Sequence, residues 1–189
     1  MMPQATLLSD KLILRALRTS DAPAIQVLAG DERIADTTAN IPHPYPEGAA
    51  QHWLREVTEK MAQGEQAAFA ITSVGDDELL GSISLMDIRD GEAELGYWVG
   101  VPYWGRGIAS AAVQRLVRHA FQDLRLRRLR ARVLARNLAS ATVLLRQGFR
   151  HVESKSSTCG YRRQQEPTDF FELVASPETK KALETPILP

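Results

Sequence analysis

Only one cysteine, Cys159, occurs in the 189 residues. A single thiol can neither close an intramolecular disulfide nor build a cysteine zinc site, so the chain is not a disulfide scaffold or a zinc module. A cytoplasmic setting is expected. An excess of one charge is also missing, since 23 Lys+Arg balance 23 Asp+Glu. Bulk electrostatics therefore does not make this molecule a polyanion binder, although a local patch still could. No apolar run is long enough to span a bilayer, and the opening MMPQATLLSDKL has neither the basic nor the apolar region of a signal peptide. Secretion and membrane insertion are not expected. The four histidines, His43, His52, His119 and His151, fall at no metal-ligand spacing, and no metal is expected.

What is present is ordinary for a globular chain: 44% hydrophobic and 24% charged residues. The length suits one domain, expected over residues 1–176, with a frayed tail over residues 177–189. There is no internal repeat.

The chain is organised around residues 92–124. Ile108, Ala109, Ala112, Val113, Leu116, Val117, Ala120, Phe121 and Leu124 recur at 3.6-residue spacing, which predicts an amphipathic helix with one buried face. Just before it, Gly105 and Gly107 can adopt positive φ and let a ligand approach the backbone. The first amides of a helix have no intrahelical partner and carry partial positive charge, so a diphosphate suits that end. Arg106 adds a full charge. Upstream, Ala93, Leu95, Tyr97 and Val99 alternate with Glu92, Glu94, Gly96 and Trp98, which predicts a strand with one face on the core and Glu94 on the same side as Trp98.

Along the rest of the chain, residues 11–17 read as a strand, and Thr19, Ser20 and Asp21 offer caps for a helix reaching about Ala29. Residues 31–46, with Pro42, Pro44 and Pro46, read as a loop or a short irregular helix. Ala50, Trp53, Leu54, Val57 and Met61 mark a second amphipathic helix. Residues 67–74 and 78–89 are strands, with Asp90-Gly91 as a hairpin turn. After the central helix, Leu129, Ala131 and Val133 alternate with Arg128, Arg130 and Arg132 in a strand with a basic edge or face. Asn137 starts a helix whose apolar side includes Leu138, Ala141 and Leu145, with Gly148 as its C-terminal cap. Strands at 149–157 and 169–175 follow, joined by a polar hairpin loop from Cys159 to Thr168. His119 falls on the polar side of the central helix. This order predicts an α/β (α+β) mixed sheet, mostly antiparallel, of about seven strands flanked by about four helices. The two strands joined through the central helix are parallel.

The run Trp104-Gly105-Arg106-Gly107-Ile108-Ala109, in its strand-loop-helix setting, resembles the acetyl-CoA pyrophosphate loop of the GNAT superfamily. The opening LILRALRTSDA, the strand AELGYWV, the loop YWGRGIA and the N-x-x-S followed by Gln147-Gly148-Phe149 are similar to the subgroup of ribosomal-protein N-terminal acetyltransferases. The resemblance implies a V-shaped splay between the fourth and fifth strands that receives acetyl-CoA. Backbone groups near Val99 and Val101 would bind pantetheine, and the amides from Gly105 to Ser110, past Arg106, Gly107, Ile108 and Ala109, would bind the pyrophosphate. Asn137 would contact the cofactor arm or hold the splay open. Trp104 stands where Gln or Arg is usual. Leu144 stands where many members carry a tyrosine that protonates the departing thiolate, which leaves Ser140 as the candidate.

Transfer of acetyl to a primary amine needs a base, because an α-amine has a pKa of about 8 and lysine about 10.4. Glu94 is the first candidate, with Asp87 next. His43, in the proline loop, is a candidate for substrate contact. The expected acceptor is a protein N-terminal α-amine or a small-molecule amine, on a monomer or homodimer. Two other classes stay open: a catalytically silent acyl-CoA sensor, and a ribosome-associated or RNA-binding module using the arginine run between Arg125 and Arg136. A Rossmann reading fails because Ser110 stands where a third glycine belongs.

Overall fold

Alternating apolar strands and a long one-faced helix must bury their apolar sides against each other, and the sheet here does so on both faces. The computed structural model describes residues 4–159 and 164–176. The expected tail and the tip of the last hairpin lie outside these residues, as does the Cys159 side chain. The strands are β1 (Leu7–Leu8), β2 (Leu12–Ala16), β3 (Ala67–Ser73), β4 (Leu79–Arg89), β5 (Glu92–Val99), β6 (Arg128–Leu134), β7 (Arg150–Cys159) and β8 (Gln164–Val174). They form one sheet in the order β1-β2-β3-β4-β5-β6-β8-β7. Every pairing is antiparallel except β5 with β6, which a helix connects. The helices are α1 (Ala22–Ala29), α2 (Glu32–Thr37), α3 (Ala49–Ala62), α4 (Ile108–Gln122) and α5 (Leu138–Arg146).

On one face, Ala112, Val113, Leu116 and Val117 of α4 pack with Leu12, Ile83, Leu85 and Leu95 of the sheet. On the other face, Ala22 and Ile25 of α1 and Ala50 and Leu54 of α3 pack with Ala70 and Leu79. The β4–β5 hairpin turns through Asp90 (φ 52°) and Gly91 (φ 77°), the pair of positive angles that a type I′ turn requires.

Several expectations need correction. The sheet has eight strands because Leu7 and Leu8 pair with Leu14 and Ile13, a pairing too short to show a period. Of the two alternatives for residues 31–46, a loop or a short helix, the structure takes the helix at Glu32–Thr37, α2, capped by the Asp31 carboxylate accepting from the Arg33 N–H. The Arg33 guanidinium holds the Asp31 carboxyl down at about 2. Strand β8 begins at Gln164, so the expected hairpin loop is mostly ladder. In α5 the fully buried side chain is Leu144, while Leu138 and Leu145 are exposed, because the helix lies with its other side on the sheet. His119 is buried, edge-on to Phe69, with Nδ1 2.7 Å from Asp123 Oδ2. Phe69 of β3 covers this position beside the helix's apolar stripe; at the same flank, Arg115 Nε donates to the Leu8 carbonyl at 3.0 Å.

Candidate active site

The parallel pairing of β5 and β6 lasts for only three residue pairs, Glu92 with Arg128, Ala93 with Leu129 and Glu94 with Arg130. Both strands continue beyond it, to Val99 and Leu134, without pairing to each other. This is the splay. Its β5 bank is fixed by β4: the Gly100 N–H donates to the Leu80 carbonyl at 2.8 Å, so pairs alternate from there and the backbone groups of Tyr97 and Val99 point away from β4, into the gap. The Val99 carbonyl is engaged by the Trp104 indole N–H at 2.6 Å, which ties the following loop to the end of β5.

That loop leads to the head of α4. Gly105 (φ 74°) and Gly107 (φ 76°) both take the left-handed conformation, and a Cβ at either would meet no protein atom within 4 Å. Gly107 is the N-cap, and no side chain caps the helix, so its first amides face open space. A cleft of about 710 Å³ lies here, lined by Trp98, Val99, Trp104, the loop glycines, Ile108, Ala109 and Ser110 on one side and by α5 on the other. The open amides and the volume fit a diphosphate on a long arm. Two expected residues lie off this cleft. Val101 begins a 3-10 turn, its carbonyl accepting from the Trp104 N–H at 3.2 Å, and the Arg106 guanidinium sits over the Tyr103 ring at 5.7 Å. Arg146, which the sequence reading missed, lines the cleft from the last turn of α5.

The α5 bank is built by its cap. Asn137 Oδ1 accepts from the Ser140 N–H at 3.1 Å, and Nδ2 donates to the Thr37 carbonyl at 2.9 Å, docking the end of α2 against the start of α5. The Tyr97 hydroxyl reaches Ser140 Oγ at 3.1 Å from β5. Burial pushes the Tyr97 phenol up. Strand alternation alone assigns Tyr97 to the core face and gives no sign of its contact with Ser140.

A second cavity, of about 390 Å³, opens on the α1/α3 face. Tyr45, Trp53 and Trp98 wall it with Ile41 and Met86, and Glu94 lines it as well. Tyr97, Trp98, Asn137 and Ser140 line both cavities, so the two meet at the splay. Glu94 Oε1 accepts from Arg132 Nε at 2.8 Å. Asp87 is exposed at a bulge of β4 and, like His43, lines neither cavity. His52 lines the second cavity and pairs with Glu56 at 3.2 Å.

Strand β6 is interior to the sheet, so its arginines are not an edge. Arg128 and Arg130 lie 3.6 and 3.5 Å from the Glu92 carboxylate, and Arg136 pairs with Asp36 and Glu166. Their charge is largely answered within the chain. Among the described residues no three His, Cys, Asp or Glu side chains converge to hold a metal ion, and no helix is long and apolar enough to cross a membrane.

The acetyltransferase (GNAT) domain family matches residues 11–150. The uncharacterized N-acetyltransferase p20 of Bacillus licheniformis is 30% identical over 141 residues, which is 74% of this chain and 79% of that protein. The ribosomal-protein-serine acetyltransferase of Escherichia coli is 41% identical over 76 residues, 39% of this chain and 42% of that protein. Among solved structures, Mycobacterium smegmatis RimJ in complex with CoA-disulfide superposes with a TM-score of 0.82 at 21% identity, covering 95% of this chain and 92% of that one. With a split parallel pair, an uncapped glycine-led helix and a family match over most of its length, the chain belongs to the GNAT family of N-acetyltransferases.

Proposed function

We propose that the protein transfers acetyl from acetyl-CoA directly to the free α-amine of a peptide or protein N-terminus. The observation that carries this reading is the pair of cavities opening from opposite faces of the sheet and sharing Tyr97, Trp98, Asn137 and Ser140. The acyl donor enters along the α4 cleft, its diphosphate on the amides at residues 107–110, and supplies an activated thioester. The acceptor enters the aromatic-walled cavity. Glu94, on the acceptor side, takes a proton from the amine directly or through one water. A backbone N–H of β5 facing the gap stabilises the carbonyl oxygen as it gains charge. Ser140 donates to the departing sulfur. Bringing two reactants in line contributes most of the acceleration, up to roughly 7–11 kcal/mol in well-aligned cases.

An α-amine suits this site better than a lysine. Carboxylates are weak bases, and an α-amine with a pKa of about 8 is already partly neutral near pH 7, whereas a lysine at about 10.4 is not. The relative named as a ribosomal-protein-serine acetyltransferase supports a protein acceptor. The protein is incubated with acetyl-CoA and separate panels of N-terminal peptides, aminoglycosides and polyamines while free thiol is followed. Turnover with peptides is expected. Turnover confined to polyamines or aminoglycosides would move the assignment to a small amine, and cofactor binding without thiol release from any panel would make the chain a silent acyl-CoA sensor.

A further inference from the structure

The Ser140 hydroxyl is hydrogen-bonded from two sides, and the direction of each bond can be worked out. A peptide N–H can only donate and a peptide carbonyl can only accept, so the Asn137 amide, bonded to the Ser140 N–H and to the Thr37 carbonyl, has a single orientation. Its Nδ2, 3.2 Å from Ser140 Oγ, therefore donates to that oxygen. From the opposite bank the Tyr97 hydroxyl lies 3.1 Å from the same oxygen. A phenol is a stronger acid than an aliphatic alcohol and is the donor of such a pair. A serine hydroxyl has two lone pairs and one proton. With both lone pairs engaged, its proton has to point away from Asn137 and Tyr97, into the junction of the two cavities, both of which Ser140 lines.

We propose that Tyr97 is a positioning residue which, together with Asn137, turns the Ser140 O–H into the donor cleft toward the thioester sulfur. The proposal rests on the reading of Ser140 given above. In the step it serves, the amine nitrogen bonds to the acetyl carbon and the C–S bond breaks with its electron pair left on sulfur. Ser140 donates a hydrogen bond to that sulfur. Ser140 and Tyr97 both keep their protons. Of the two protons the ammonium loses, one goes to solvent; the other, taken up by Glu94 and passed to solvent, balances the proton that sulfur finally acquires. Burial, which pushes the phenol up, favours Tyr97 remaining protonated throughout.

Tyr97→Phe, Ser140→Ala and the double variant are compared with the wild-type full chain for kcat, for the KM of acetyl-CoA and for CoA affinity by calorimetry. Ser140→Ala is expected to lower kcat by about 10²-fold, as loss of one transition-state donor does. Tyr97→Phe is expected to lower kcat by roughly five- to tenfold with KM for acetyl-CoA within about twofold, and the double variant to match Ser140→Ala within about twofold. Wild-type kcat in Tyr97→Phe beside an impaired Ser140→Ala, or losses that multiply in the double variant, would overturn the role of Tyr97 alone. Full activity in Ser140→Ala would overturn the underlying reading of Ser140 instead. If Tyr97→Phe does not bind CoA, 3-fluorotyrosine at position 97, which keeps the ring and strengthens the donor, takes its place. Activity within about twofold of wild type is then expected, and a tenfold loss would overturn the proposal.

Discussion

Glu94 and Arg132 face each other where β5 and β6 separate, Arg132 Nε donating to Glu94 Oε1 at 2.8 Å. The last paired residues are Glu94 and Arg130, so Arg132 stands two residues further along the diverging strand and reaches back. One carboxylate oxygen is held at the edge of the cavity on the α1/α3 face and the orientation of the other follows from it. On the proposed function, a base held here meets the amine without first fixing a mobile side chain.

Glu94→Gln keeps the shape and the Arg132 contact but removes the base. A general base contributes about 10²–10⁴-fold. The expected result is a fall in kcat of about 10²-fold, with CoA affinity by calorimetry unchanged and residual turnover that rises with pH as the amine deprotonates itself. Turnover equal to wild type at pH 7 would remove Glu94 from the chemistry.

Gly107 caps α4 with φ 76° and has open space where a Cβ would project. A left-handed backbone costs an L-residue about 1–2 kcal/mol, and the new side chain also occupies the volume before the amides. Gly107→Val is therefore expected to weaken CoA binding at least tenfold by calorimetry. Equal affinity would place the diphosphate elsewhere.

Trp53 and Tyr45 wall only the cavity on the α1/α3 face. Trp53→Ala is expected to raise KM for a peptide acceptor several-fold and leave KM for acetyl-CoA within about twofold. The separation of the two constants is the diagnostic, since a residue on the donor side would move the other one.

Arg15 is buried against the Asp21 carboxylate at 2.8 Å and reaches Asp77 at 2.6 Å. The Arg15 hydrogen bond holds the Asp77 carboxyl below its usual value of 3.8, burial opposing. A folded-state value below the unfolded one means the unfolded chain binds more protons in the interval. The stabilisation is therefore complete above about pH 4 and declines as the pH falls through the folded value. Melting temperature is expected to drop on acidification, and Asp77→Asn to flatten that drop while lowering stability at pH 7. A parallel acid decline in both proteins would sink the assignment.

Much of the fold was legible because its signals are local. The 3.6 period of α4, the paired glycines before it and Asp90-Gly91 each act within a few residues, so α4, the loop and the β4–β5 hairpin follow from neighbouring side chains alone. Glu94 and Trp98 share a face because a strand alternates, and both line the cavity on the α1/α3 face. Missing signals had equally physical causes. The buried side of α5 is narrow, and only its contact with the sheet selects Leu144 over Leu145. Helix α2 is six residues long, too short for a period to stand out, yet its end docks on the α5 cap through Thr37.

By itself the chain determined its family, an uncapped glycine-led helix head and a strand carrying Glu94, since these depend on consecutive residues and backbone conformation. Tertiary structure decided that Tyr97 meets Ser140, that Arg132 holds Glu94 and that two cavities join through the sheet. Those partners lie 43 and 38 residues apart. The divergence of β5 from β6 brings them together, and no local pattern encodes which side chains will face each other across a gap between strands.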